Sequence, residues 1–217
     1  MTAVAEQDAG TGFSVSVPPS WFELELAPAT RDSALARLVG ERVRDSPELR
    51  EHRSTITRLL RQQAREAWEA GARFCACLVE PTEDGPVTAS ATVSVVAGPL
   101  GLPPGEQSYL DALMAPLATK QAVGEDDTWR SVTSVVLPGG LTGARTWGVE
   151  DVDLPQDAGW VRVVQLLQLV PVPGVNRVVL LTCSSPVLPL AEPLLDLVAA
   201  VADTLRVVRL PPAAGAA

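Results

Sequence analysis

Between Val87 and Val96, apolar and hydroxyl-bearing residues alternate almost without a break: Val87, Ala89, Ala91, Val93 and Val95 against Thr88, Ser90, Thr92 and Ser94. Successive side chains of a strand point to opposite faces, so this stretch lays one face on a core and turns the other to water. Strands of an all-parallel sheet are covered on both faces and read as continuous apolar runs. The pattern therefore calls for an antiparallel sheet.

Other segments supply neighbours for that strand. Phe13-Ser-Val-Ser-Val17 and Phe22-Glu-Leu-Glu-Leu26 alternate in the same way, and Pro18-Pro19-Ser20 between them predicts a β-hairpin, with Trp21 closing one end of the core. Phe74 to Val79 precedes the alternating strand across the turn-forming Pro81-Thr-Glu-Asp-Gly85. Trp129 to Leu137 and Leu141 to Val149 flank Pro138-Gly139-Gly140, a tight turn. An acidic loop, Glu150 to Asp157, leads to Trp160 to Val170 and then Arg177 to Ser184. These last two are apolar on both faces, which places them centrally in the sheet.

The helical period takes over from Thr30. Leu35, Leu38, Val39, Arg42 and Val43 share one side of a first helix. Ser46 followed by Pro47 starts a second, running to about Ala70, with Leu49, His52, Ile56, Leu59, Leu60, Gln63 and Ala67 inward. Gln107 to Leu117 forms a short helix, and Leu190 to Val207 a long apolar one with Leu194, Val198, Val201 and Leu205 as its stripe. The expected fold is α+β and two-layer, an antiparallel β-sheet covered on one face by helices. Residues 12–208 form the single domain, between a disordered N-terminus over 1–11 and a flexible tail over 209–217.

Seventeen basic against twenty-six acidic residues give a net charge of −9. That excludes a general nucleic-acid binder, whose affinity comes from Lys and Arg on phosphate. No apolar run is long enough for membrane insertion, and the first ten residues lack a basic start and an apolar stretch, so the expected location is cytoplasmic.

Catalytic chemistry has little material to work with. The one histidine, His52, falls among apolar residues of the second helix and reads as a packed or rim side chain. Lys120, the one lysine, reads as solvated. No Walker loop, nucleophile elbow or zinc-type His pair is present. Cys75, Cys77 and Cys183 read as structural thiols, since Cys75 and Cys77 share a strand face and a metal would need more soft donors. Glu150, Asp151, Asp153 and Asp157 lack the mid-loop glycine of a calcium loop. No cofactor, metal or catalytic residue is expected.

The charges are unevenly placed. Residues 31–73 hold ten arginines and seven acids, net +3, so the rest of the chain totals −12. On the second helix Arg50, Arg58, Arg61 and Arg65 fall on one outward arc with Trp68 at its edge. Arginine and tryptophan together on an exposed face are the composition of a binding hot spot, here for a partner acidic at the contact.

The run FSVSVPPSWFELEL, Phe13 to Leu26, resembles the entry hairpin of PsbP-like domains, and Val178 to Val208 resembles that superfamily's closing strand and helix. The resemblance implies a binding module without shared catalytic residues, as in relatives that serve photosystems, Ran or secretion effectors. Arginine and alanine richness with scarce lysine looks actinobacterial. The resulting expectation is a non-enzymatic protein-interaction module, accessory or chaperone-like, for a secretion or envelope system, with homodimerisation open. The alternative is a carrier of a small molecule or lipid in an apolar pocket between sheet and helices.

Overall fold

The computed structural model describes residues 2–7, 11–45, 50–83, 85–119, 128–153 and 159–209. Strands β1 (Thr2–Gln7), β2 (Thr11–Ser16) and β3 (Phe22–Glu23) come first, then helices α1 (Arg31–Asp45) and α2 (Arg53–Glu69). Strands β4 (Ala72–Glu80) and β5 (Val87–Ala97) follow, then α3 (Gln107–Thr119). Strands β6 (Trp129–Val136), β7 (Thr142–Asp153), β8 (Trp160–Pro171) and β9 (Arg177–Ser185) lead to α4 (Ala191–Asp203) and β10 (Arg206–Arg209).

Seven strands make one sheet in the order β3-β4-β5-β9-β8-β7-β6, and every neighbouring pair is antiparallel. The expected α+β class with an antiparallel sheet is met, and β8 and β9 are interior as their two-sided apolarity requires. The β6–β7 hairpin turns at Gly139 and Gly140 with φ of 106° and 83°. That left-handed region is open to glycine at little cost, so the Pro-Gly-Gly sequence fixes the turn.

The alternation in β5 works as read. Ala89, Ala91 and Val93 are buried beside Phe74, Ala76 and Leu78 of β4 and Leu181 and Cys183 of β9. Leu194, Leu195, Val198, Val201 and Ala202 of α4 cover this face with Phe13 and Val15 of β2 and Trp21. Sheet against α4 is the principal two-layer core. The remaining helices are placed differently: Cys75 and Cys77, on the opposite face of β4, meet Leu24, Leu26, Leu35 and Ala64 beneath α1 and α2. A register shift between Ala72 and Phe74 turns Ala72 to that side too. Tyr109 and Leu113 of α3 pack on Val178, also on that face. The helices are thus divided between the faces rather than gathered over one, because β4 and β9 offer apolar or thiol side chains on both.

Several boundaries differ from expectation. Phe13–Val17 and Phe22–Leu26 do not form a hairpin: β2 pairs with β1 and β10 in a three-stranded sheet, while β3 pairs with β4. Alternation sets which face a strand buries, not which strand it meets. Thr2–Gln7, expected to be disordered, is a strand. The last helix ends at Asp203 rather than Val207, and β-branched Val207 and Val208 continue as β10. Glu150, Asp151 and Asp153 extend β7 instead of forming a loop. Ser46, Pro47, Leu49, Lys120, Asp157 and the tail from 210 lie outside the described residues.

Candidate functional site

Helix α2 is set by a small residue. Ala64 is its buried position, with Leu60, Ala67 and Trp68 partly buried against the same cluster. At roughly 100° per residue, Trp68 and Arg61 lie about 40° and 60° from Ala64, whereas Arg65 and Arg58 lie about 100° and 120° away. The inner face is therefore turned from the one expected: Leu59 is 49% exposed, and Gln63 and His52 are exposed as well. An alanine at the contact lets the helix backbone approach the sheet, which a count of large apolar residues does not register.

That rotation sorts the five predicted residues. Arg61 crosses the helical hairpin, donating from Nη2 and Nε to the Asp32 carbonyl at 2.7 and 3.3 Å, with Nε 3.8 Å from the Asp32 carboxylate. Trp68 is a packing residue: Arg73 stacks 4.1 Å over its ring and donates to its carbonyl at 3.1 Å. Arg58 and Arg65 are exposed on α2, and Arg50 is exposed in the turn before it.

Arg50, Arg58, Arg61 and Arg65 nonetheless line one open groove of about 980 Å³, walled on the other side by Asp32 and Ala36 of α1. Trp68 is not part of it. The structure adds Arg53, which the sequence reading missed and which the three-residue step from Arg50 could have signalled. Its guanidinium lies near Gly40 of α1, 3.2 Å from where a Cβ there would be. Four acids, Asp32, Glu51, Glu66 and Glu69, share the lining. Arg61 engages Asp32, and Glu66 accepts from Gln62 at 2.9 Å. Among the described residues Arg50, Arg53, Arg58 and Arg65 have no carboxylate partner within 4 Å, so their donors face the groove or solvent.

The acids at the end of β7 are committed elsewhere. Glu150 is nearly buried and receives both arms of the Arg130 guanidinium, Nε at 2.6 Å, while Arg130 Nη1 also donates to the Leu117 carbonyl at 2.8 Å. To reach it, the β6 backbone passes over Gly148, where a Cβ would stand 2.0 Å from the Trp129 carbonyl oxygen. Arg162 donates to Asp151 at 2.7 and 3.1 Å and holds that carboxyl below the usual carboxylate range. These two acids are thus salt-bridged across the strands β6–β8, and the described His, Cys, Asp and Glu form no cluster able to hold a metal.

His52 caps no N–H with its side chain and has no hydrogen bond to a nucleophile or carboxylate among the described residues. Cys183 is buried and its thiol is pushed up to about 12 by desolvation. The neighbouring Cys75 and Cys77 thiols move each other apart, Cys75 down and Cys77 up, and Thr92 donates to Cys75 at 3.9 Å. All three are free. Among the described residues no helix is long and apolar enough to cross a membrane.

No family model matches the chain, so the PsbP-like resemblance rests on quoted segments and element order alone. No curated protein matches it either. Among solved structures one neighbour is LpqN, described as involved in cell envelope biogenesis of Mycobacterium tuberculosis. It shares 12% identity with a TM-score of 0.49, over 97% of this chain and 91% of that one. An overlap this loose leaves the functional reading to the residues of the groove.

Proposed function

We propose that the chain is a non-enzymatic protein-binding module that takes an acidic segment of a partner protein along the α1–α2 groove. One observation supports this reading: four arginines without carboxylate partners, Arg50, Arg53, Arg58 and Arg65, converge on one open groove in a chain of net charge −9. Arginine presents a planar fork of donors that matches carboxylates in pairs. The acids interspersed with them disfavour a uniformly negative polymer and select a segment of matching charge spacing.

A carrier function has less to support it. The space between α4 and strands β6–β8 is about 220 Å³, below the roughly 300–1,000 Å³ of ordinary ligand pockets. The groove itself is too open and charged to enclose an apolar molecule.

The test is binding of a glutamate-rich peptide to the full chain and to the double variant Arg58→Glu/Arg65→Glu. Rim charges act mainly on association rate and salt dependence, so affinity should fall about tenfold and its salt dependence flatten. Equal affinity of the two proteins removes the groove from consideration.

A further inference from the structure

Strand β6 ends the seven-stranded sheet on one side. Among the described residues β7 is the one strand that pairs with β6, so the strand's far side offers a template for another strand. Open edges are commonly protected by lysine, proline, inward charges or bulges. Trp129–Val136 carries one of these near its start, the inward Arg130 held on Glu150, while Ser131 to Val136 has neither proline nor charge. Trp129 is 46% and Val136 74% exposed.

Register decides what this edge fits. Trp129 opposes Val149, whose side chain is in the core under α4, so Trp129, Ser131, Thr133 and Val135 share the α4 face. Arg130, Val132, Ser134 and Val136 share the other. On the α4 face, immediately beside the edge, is the 220 Å³ hollow, bounded by Thr133, Val135, Trp147, Leu195 and Ala199. Helix α4 packs most closely on β8 and β9, and this recess lies between it and the end strand β6.

We propose that a second copy of this chain pairs antiparallel with β6 about a two-fold axis at Val132. An axis normal to the sheet keeps each face on its own side, so only residues of the same face can oppose one another. Centred on Val132, the pairing sets Trp129 opposite Val135 of the partner subunit, at the mouth of the hollow, and Arg130 opposite Ser134 of the partner subunit. Centring on Thr133 instead carries Trp129 past the strand end, opposite Leu137 of the partner subunit. The exposed indole and the recess able to receive it belong to the same chain at matching register, and the symmetry uses each twice. A foreign strand has to bring its own aromatic side chain; a second copy already carries one.

Sedimentation equilibrium of the full chain over a wide concentration range tests this, with melting of each variant as the folding control. The wild type is expected to dimerise. Trp129→Ala should weaken the dimer about tenfold, the loss of one buried aromatic anchor. Ser134→Lys, which faces Arg130 of the partner subunit, should weaken it comparably, while Ser134→Glu should leave it within a few-fold of wild type. The groove variant Arg58→Glu/Arg65→Glu should dimerise normally, which separates this surface from the proposed acidic-segment site. A monomer at every concentration overturns the proposal. So does a dimer indifferent to Trp129→Ala or Ser134→Lys, or one equally sensitive to lysine and glutamate at position 134.

Discussion

Helices α4 and α2 lie on opposite faces of one sheet and are held in different ways. Five residues of α4 are buried, from Leu194 to Ala202, in the cluster that also contains Phe13, Leu166 and Leu181. Among the described residues α2 buries one, Ala64, and leans on α1 through Arg61 and on β4 through Trp68. A helix with little apolar burial opens at lower free energy than the global transition. The proposed binding surface thus sits on the more loosely attached element, and the rigid element forms the frame.

The largest effect should come from the frame. Leu194→Ala removes a buried side chain from the main core and should cost about 3 kcal/mol in denaturant unfolding, with the m-value unchanged. Ala64→Arg forces a charge under α2 and should cost about 2 kcal/mol. There the decisive reading is local: amide exchange should speed up across α1 and α2 while β8 and β9 keep their protection. If both variants loosen the whole chain equally, the two helices are one cooperative unit and the contrast is void. Removing the strap with Arg61→Ala should cost about 1 kcal/mol, again confined to the helical hairpin.

Smaller effects probe ionisable groups carried by the sheet itself. Asp151 is held below its ordinary carboxylate range by Arg162, so its folded value lies under the unfolded one. Stability from this pair is present above the unfolded value, about 3.9, and is lost as the pH falls through the folded one. Asp151→Asn should flatten the acid limb of stability against pH below about 4. Thiol labelling at neutral pH should reach Cys75 before Cys183, whose reaction should wait for unfolding because its thiol is buried and raised.

Much of the frame was legible because alternation and turn chemistry are local. The faces of β5, the Pro-Gly-Gly turn before β7 and the interior position of β8 and β9 all follow from neighbouring residues. Strand partners are not local, and so the expected hairpin at Pro18-Pro19 gave way to a pairing of Thr11–Ser14 with Arg206–Arg209. The arginines were recognisable as a cluster, and four of them do line one groove. The angle of α2 was not recognisable, since Ala64 sets it and Leu59 and Ile56 look more apolar. That error assigned Trp68 to the surface when it packs on β4's side of the helix, and it left Arg53 unnoticed.

The pairing of β2 with β10 has a consequence for synthesis. Phe13 and Val15 leave the ribosome about 180 residues ahead of the helix and strand that cover them, α4 and β10. Because such distant contacts close only once the later partner has been made, the core should stay incomplete through most of translation. During that interval the apolar face of β2 has nothing to cover it and would benefit from a chaperone's shelter.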